Sequence, residues 1–376
     1  MSENKLNLAL IFGGKSLEHE VSIVTTLQAS QWINPRKYNL YLIYLDQNNY
    51  PYLCPSCQKI PPRLFIQKTF EQNRKIQFIN QGIVVGEGLF RKKIKIDVAF
   101  LSLHGAFGED GKLQGMLELL NIPYTSCGVL GSALGMDKII TKKIFKEMGL
   151  PVTPFKWFYA ADFKEKPQLF LDQINQNLKY PLFVKPANAG SSIGVKKVKT
   201  PTQLKEVIKK TMEIDRKILV EESVEETVDI NCSVLGGYEP IVSVCEQPLS
   251  EGELLSFKEK YLKGGKTKGM AGLCRIVPAP IPDKIAIKIQ EMAKAIFKEF
   301  DCWGVIRVDF LYQKKTGKVF ANEINTIPGS HAYYLWQKAD LKPEELVDKL
   351  VALAFEKQKE KENLNFVFKS KILDQK

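Results

Sequence analysis

The sequence predicts an α/β protein of two or three modules, the first built on a parallel sheet. Three observations predict it. The chain has 376 residues, more than one ordinary domain holds. Short apolar strands alternate with helical segments in the first third, which is how a parallel sheet is wound. After Gly149-Leu150-Pro151 two more strand-and-helix groups follow, and that break reads as a boundary.

Residues 8–12 (LALIF) form a buried strand that turns at Gly13-Gly14. A helix follows over about Glu20 to Ile33 and stops before Pro35. Residues 39–45 and 97–101 read as further strands. The segment 46–95 reads as an irregular excursion, because Pro51, Pro55, Pro61 and Pro62 oppose helix. A helix over 137–148 precedes the boundary. The middle module holds strands at 156–159, 181–185, 194–198 and 217–222, with helices at 165–178 and 201–214. The last module holds strands at 229–235 and 240–245, a long helix at 283–300, strands at 304–312 and 318–325, and a helix at 343–357.

Composition excludes several classes. Hydrophobic residues make up 44% and charged residues 26%, ordinary soluble chemistry. No stretch approaches the roughly 20 apolar residues of a membrane span. The start, MSENKLNLALIFGGKS, lacks the apolar core and cleavage site of a secretory signal, so a cytoplasmic location is expected. Seven cysteines, an odd number, argue against a disulfide framework. Cys54 and Cys57 form a CxxC pair without a second pair to complete a zinc site. The formal charge of +12 is spread along the chain, so neither a nucleic-acid nor a membrane partner is expected.

Five stretches carry chemistry. In Gly304–Leu311, Arg307 and Asp309 share one strand face while Val308 points to a core. In Val319–Asn325, Glu323 and Asn325 share a face and Ile324 points away. Paired as a hairpin, Asp309, Glu323 and Asn325 converge into an all-oxygen set that suits magnesium; a polar sheet face is the alternative. Phe183–Gly194 is a strand ending in Lys185, then a Gly/Ser loop able to fold N–H groups over phosphate, or simply a hairpin turn. Gly13–Ser22 opens a helix N-terminus, where Ser16 and Glu18 read as a cap and a first-turn acid. His104–Gly115 is a glycine-rich segment after a strand, fit to line a pocket; a metal shared by His19, His104 and His331 is not expected. Ser256–Gly269 is basic and glycine-rich, either a lid over phosphate or a surface loop.

Taken in order, these stretches resemble the D-alanine–D-alanine ligases of the ATP-grasp superfamily, over about residues 8–340. FGGKSLEHEVS at 12–22 looks like the family's N-terminal signature. HGAFGEDGKLQG at 104–115 with MDK at 136–138 looks like the second, and RVDF at 307–310 with NEINTIPG at 322–329 like the third. The resemblance implies three α/β domains (1–136, 137–224 and 225–376, with a lid at about 256–269) and ATP between the last two. It implies that Lys138, Lys185 and Lys260 contact ATP phosphates, that Glu221 and Val224 face adenine, and that Asp229 meets the ribose. Asp309, Glu323 and Asn325 would hold magnesium or manganese, as two ions. Glu18 would receive the first D-alanine's amino group and form a triad with Ser191 and Tyr261. Arg307 and the Gly329 N–H would stabilise the charged intermediate, with His104 and Ser330 also at the substrates. A homodimer and a role in peptidoglycan precursor synthesis are implied too.

The segment after Pro328-Gly329 reads SHAYYLW, where many members carry a serine that binds the acceptor's carboxylate; Ser330 and Tyr334 are the alternatives. The lid's GKTKGMAGL also departs from the common pattern. Both changes lie on the acceptor side. A D-alanine–D-serine ligase or another carboxylate–amine ligase is therefore the first competing reading, and a catalytically dead ATP-binding regulator the second.

Overall fold

The computed structural model describes residues 5–55, 74–86, 88–249 and 274–368, with Ile66, Gln67, Thr69, Ser370 and Ile372. Cys57, Lys260, Tyr261 and the whole 256–269 segment lie outside the described residues.

The first sheet contains β1 (Leu6–Gly13), β2 (Tyr38–Leu45), the short edge strand β3 (Pro51–Leu53) and β7 (Val98–Leu101), in the order β3-β2-β1-β7. β1 runs parallel to both β2 and β7. Its side chains are buried on both faces, as expected of a covered parallel strand. Leu8, Leu10 and Phe12 enter one core, while Ala9 and Ile11 enter another. Helix α1 (His19–Ala29) follows β1 and ends earlier than Ile33. The 46–95 excursion is more regular than its prolines imply. It carries a three-stranded antiparallel sheet of β4 (Ile76–Ile79), β5 (Gly82–Val85) and β6 (Lys92–Lys95). Helices α2 (Lys112–Leu119) and α3 (Val129–Met136), in glycine-containing sequence, were not expected from the pattern.

Helix α4 (Lys138–Glu147) starts at a true cap: the Asp137 carboxylate accepts from Ile139 and Ile140 N–H at 3.0 and 3.1 Å. The second sheet, order β10-β9-β11-β8, is antiparallel where it pairs: β8 (Phe155–Tyr159), β9 (Leu182–Pro186), β10 (Lys196–Val198) and β11 (Lys217–Glu222). The helix expected over 165–178 is present as α6 (Pro167–Asn177), with Pro167 in its first turn where a missing N–H is tolerated, and a short α5 (Ala160–Glu165) precedes it. Helix α7 (Pro201–Thr211) adds Leu204 and Ile208 to the same core.

The third sheet, order β14-β13-β12-β15-β16, contains β12 (Thr227–Gly236), β13 (Ile241–Pro248), β14 (Arg275–Ile276), β15 (Gly304–Gln313) and β16 (Lys318–Asn325). One face packs on α8 (Asp283–Glu299) through Ile230, Cys232, Val234, Ile306, Val308 and Phe310. After β16 come the short α9 (Tyr333–Trp336) and the long α10 (Pro343–Glu362), which runs past residue 357. Helix α10 returns to the first sheet: Leu346, Val347, Leu350 and Val351 share a core with Leu8, Leu10 and Phe100. Among the described residues no helix is long and apolar enough to cross a membrane.

Candidate active site

The polar face of the third sheet holds a lateral row of side chains. Strand register sets Glu246 of β13 beside Asn231 of β12, Asn231 beside Asp309 of β15, and Asp309 beside Glu323 of β16. Two residues back, Ser233, Arg307 and Asn325 form a second row. Strand period explains the segregation: every second residue faces this side, and the intervening ones fill the α8 core. Arg307 grips Asp309 with both ends of its fork, Nε to Oδ1 at 2.6 Å and Nη2 to Oδ2 at 2.7 Å. Asn325 Nδ2 donates to the same Oδ2 at 3.1 Å, which leaves its amide oxygen directed elsewhere. Asp309, with Glu246 behind it, holds the guanidinium well above its ordinary pKa despite burial, so it stays charged.

The three predicted metal ligands thus converge. Two carboxylates and an amide oxygen are a hard-oxygen donor set, which fits magnesium. The cations that neutralise the carboxylates are Arg307 on Asp309 and Lys138, whose Nζ lies 3.6 Å from Glu323 Oε2.

A second charged cluster lies in the neighbouring sheet. Glu221, 2% exposed, accepts from Lys142 at 2.7 Å and from Lys185. Burial alone would raise its pKa, but the two ammonium groups hold it well below the usual carboxylate range. Burial, against the pull of Glu221 and with Lys185 adjacent, lowers Lys142. Lys185 is pulled down by burial yet held above its ordinary value by Glu221, Glu323 and Asp229. Glu221, expected to face adenine, has its carboxylate engaged by these two lysines. Val224 lies in the following turn, its carbonyl accepting from Thr227 at 3.2 Å. Lys138 Nζ donates to the Ala189 carbonyl at 2.7 Å, at the glycine-rich loop.

The N-terminal stretch meets that loop. Ser191 Oγ–H donates to Glu18 Oε1, joining the first module to the second. Glu18 is buried between two glycines. A Cβ at Gly190 would fall 2.3 Å from Glu18 Oε2, and one at Gly105 would fall 2.8 Å from it. Two members of the predicted triad are thus in contact; the third, Tyr261, lies outside the described residues. Ser191 itself has φ of 50°, a left-handed conformation that the short loop imposes. Beneath Glu18 lies Glu109, which accepts from Gly105 N–H at 2.7 Å and Ile327 N–H at 3.0 Å. Burial, then the nearby Glu18 charge, pushes Glu109 up to about 8.

The histidines do not share a site. His19 bonds the Gly14 carbonyl at 2.7 Å and Tyr44 at 3.0 Å. His104 bonds Thr25 at 3.0 Å and is held by burial at about 4, hence neutral near pH 7. His331 packs edge-on against Phe100 and is pushed by burial to about 3. Gly329 opens a buried turn in which Ser330, His331 and Ala332 all have left-handed φ of 49–52°. Ser330 Oγ donates to Gln28 at 2.9 Å, so this hydroxyl ties the turn to α1. Tyr334 stands closer to the chemistry, its hydroxyl accepting from Arg307 Nη1 at 3.3 Å.

Two family models cover the chain: one described as D-ala D-ala ligase N-terminus matches residues 7–127, and one described as D-ala D-ala ligase C-terminus matches residues 144–352. The chain belongs to the D-alanine–D-alanine ligase family. The D-alanine–D-alanine ligase of Thermosipho africanus is 36% identical over 374 residues, covering 98% of both chains. Among solved structures, the D-alanine-D-alanine ligase from Coxiella burnetii is 28% identical with a TM-score of 0.77, covering 95% of this chain and 97% of that one. The VanG D-Ala:D-Ser ligase from Enterococcus faecalis is 29% identical with a TM-score of 0.78, covering 93% of this chain and all of its own. The fold is thus the three-part ATP-grasp fold of this family.

Residues missed by sequence reasoning are now visible beside the family's motifs. Glu109 stood inside a quoted motif, and its flanking glycines were the available signal. Lys142, Arg275 and Glu246 carried none, since each is a single charge in an apolar or basic segment whose partner is remote in sequence.

Proposed function

We propose that this chain joins two molecules of D-alanine into D-alanyl-D-alanine, with ATP converted to ADP and phosphate through a D-alanyl phosphate. The observation that carries the reading is the meeting of Glu18 and Ser191 beside a charged sheet face holding Arg307, Asp309, Glu323 and Asn325. The divisions 1–136, 137–224 and 225–376 are proposed as the working units, with the nucleotide between the second and third.

The residues divide the labour. A carboxylate and an amine do not condense unaided, so the donor carboxylate must first receive a phosphoryl group. Glu18, buried against the glycine-rich loop, takes the donor's ammonium. Glu109 below it is held protonated near neutral pH, so two carboxylates are not charged against each other. Lys138 and Lys185 offset the charge where ATP phosphates approach the donor carboxylate. Asp309, Glu323 and the Asn325 oxygen would hold magnesium, which supplies charge neutralisation across the phosphates. Asp229 lies on the same sheet face for the ribose. When the acceptor amine attacks, negative charge grows on the carbonyl oxygen. Arg307 and the Gly329 N–H receive it in this reading, since donors fixed before the reaction need no reorganisation.

The test is ATP-dependent phosphate release with magnesium, using D-alanine, D-serine, D-lactate or L-alanine, with products identified by mass. Release with D-alanine alone together with D-alanyl-D-alanine is expected. A mixed D-alanyl-D-serine product in preference would move the assignment to the sister enzyme. ATP binding without turnover on any of them would sink the ligase reading. The same reading places the protein in the cytoplasm, where ATP is available, and as a homodimer; sedimentation of the purified chain checks the latter.

A further inference from the structure

Arg307 is held from two sides. Asp309 holds it from its own strand, and Tyr334 of α9 holds it from outside the hairpin. Tyr334 is itself clamped. The Arg275 guanidinium lies 3.6 Å from the centre of its ring. Arg275 Nη1 in turn pairs with Glu246 Oε2 at 2.8 Å, and Glu246 Oε1 accepts from Asn231 Nδ2 at 3.0 Å. Glu246 is wholly buried, so the last anchor of this chain of contacts is fixed in the sheet. The polar side chains run in one continuous line, Asn231–Glu246–Arg275–Tyr334–Arg307–Asp309, and it starts and ends on neighbouring register positions of β12 and β15.

We infer that Arg275 and Tyr334 are positioning residues that keep Arg307 aimed at the reacting carbonyl once Asp309 turns to the metal. The inference rests on the roles proposed above for Arg307 and Asp309. Among the described residues, Asp309 and Tyr334 take three of the five guanidinium N–H groups. A carboxylate that ligates magnesium can no longer hold both ends of the fork. Arg307 would then keep at most one end of its fork on Asp309, and the Tyr334 hydroxyl becomes the second point that fixes the plane of the guanidinium. A planar guanidinium stacked on the ring fixes that hydroxyl's position; an ammonium, compact and strongly hydrated, stacks poorly. Burial and the neighbouring Glu246 raise the phenol's pKa, so it stays protonated and offers Arg307 its lone pairs. Neither residue has to touch substrate for this role.

The experiment compares Tyr334→Phe, Arg275→Met and Arg275→Lys with Arg307→Ala in the full chain, using ATP, magnesium and D-alanine. Tyr334→Phe keeps the ring and loses only the hydroxyl. The expected result is a kcat about tenfold lower in Tyr334→Phe and Arg275→Met, because a small misplacement of a charge-stabilising group slows the reaction strongly. KM for ATP should stay within about twofold, and phosphate released per dipeptide should rise. Arg275→Lys should not restore kcat. Mn2+ titrated into the ATP complex should bind Tyr334→Phe as it binds the unaltered protein, because the hydroxyl holds the guanidinium and not the ion. A merely structural role would lower the melting temperature and leave kcat per folded molecule unchanged. Unaltered kcat and one phosphate per dipeptide in folded Tyr334→Phe, with Arg307→Ala crippled, would overturn the inference alone. Full activity in Arg307→Ala would overturn it together with the role of Arg307. Loss of Mn2+ binding in Tyr334→Phe would also overturn it, by making the hydroxyl part of the metal site. Should Arg275→Met fail to fold, Tyr334→Phe decides.

Discussion

The Glu221 cluster and the Arg307–Asp309 cluster use the same chemistry to opposite ends. Glu221 is enclosed, with Lys142 and Lys185 both on its carboxylate and Lys142 also donating to Thr153 at 3.0 Å. Its charges are mutually satisfied within the protein. Arg307 and Asp309 are also paired, yet they stand on a sheet face whose next neighbours, Glu323 and Asn325, are only partly covered. A closed cluster fixes geometry, because no partner can leave without exposing a buried charge. An open one can exchange a partner for a ligand. Lys185 bridges the two, since it sits on Glu221 and feels Glu323.

The contrast can be broken or sharpened by substitution. The largest effect is expected from Lys142→Met, which leaves Glu221 with one ammonium. Removing one partner of a buried pair costs about 3–5 kcal/mol, read as a lowered urea midpoint. A loss under about 1 kcal/mol, the range of exposed pairs, would mean that the cluster is not closed. Arg307→Ala should instead leave the urea midpoint and ATP binding nearly unchanged while kcat falls roughly 100-fold, about 2.7 kcal/mol of transition-state stabilisation. Turnover like that of the unaltered protein would remove Arg307 from the mechanism. Gly190→Ala should act on the donor side alone. Its Cβ would meet Glu18 Oε2 at 2.3 Å, so the carboxylate must move off Ser191. KM for D-alanine is expected to rise about tenfold, with KM for ATP kept; equal changes in both would show a general distortion.

The last contrast concerns pH. Glu109 is pushed up to about 8, above its unfolded value, so the folded state holds a proton that the unfolded state has released between those limits. Stability from this group is therefore fully present in acid, below the unfolded value. It falls as pH rises toward about 8. Melting temperature followed from pH 5 to 8.5 should decline, and Glu109→Gln should remove that part of the slope. Parallel curves would show that Glu109 is ionised in the folded state.

Much of this was legible beforehand because it depends on short-range spacing. Arg307 and Asp309, and Glu323 and Asn325, are two residues apart, so strand period alone placed each pair on one face. Pairing the two strands then brought Asp309, Glu323 and Asn325, the proposed metal ligands, together. What stayed hidden depends on long-range encounters. Lys142 and Glu221 are remote in sequence, and neither segment signals the other. Arg275 reads as a lone charge in an apolar stretch, and its stack on Tyr334 follows only from β14 and α9 being brought together. The β4–β6 sheet was missed for a local reason. Prolines earlier in the excursion dominated the reading, although Asn80-Gln81-Gly82 between apolar pairs offered a hairpin turn, with Gln81 at φ 57°. The start of α6 was also readable, since Pro167 is favoured in the first turn of a helix.

The return of α10 to the first sheet sets the order in which the molecule can be made. Leu8, Leu10 and Phe12 leave the ribosome well over 300 residues before Leu346, Val347 and Leu350, which pack in the same core. The part of this core that α1 does not cover therefore stays exposed until α10 emerges. At about 5–20 residues per second that interval is tens of seconds, long enough for a chaperone to hold the nascent N-terminal segment.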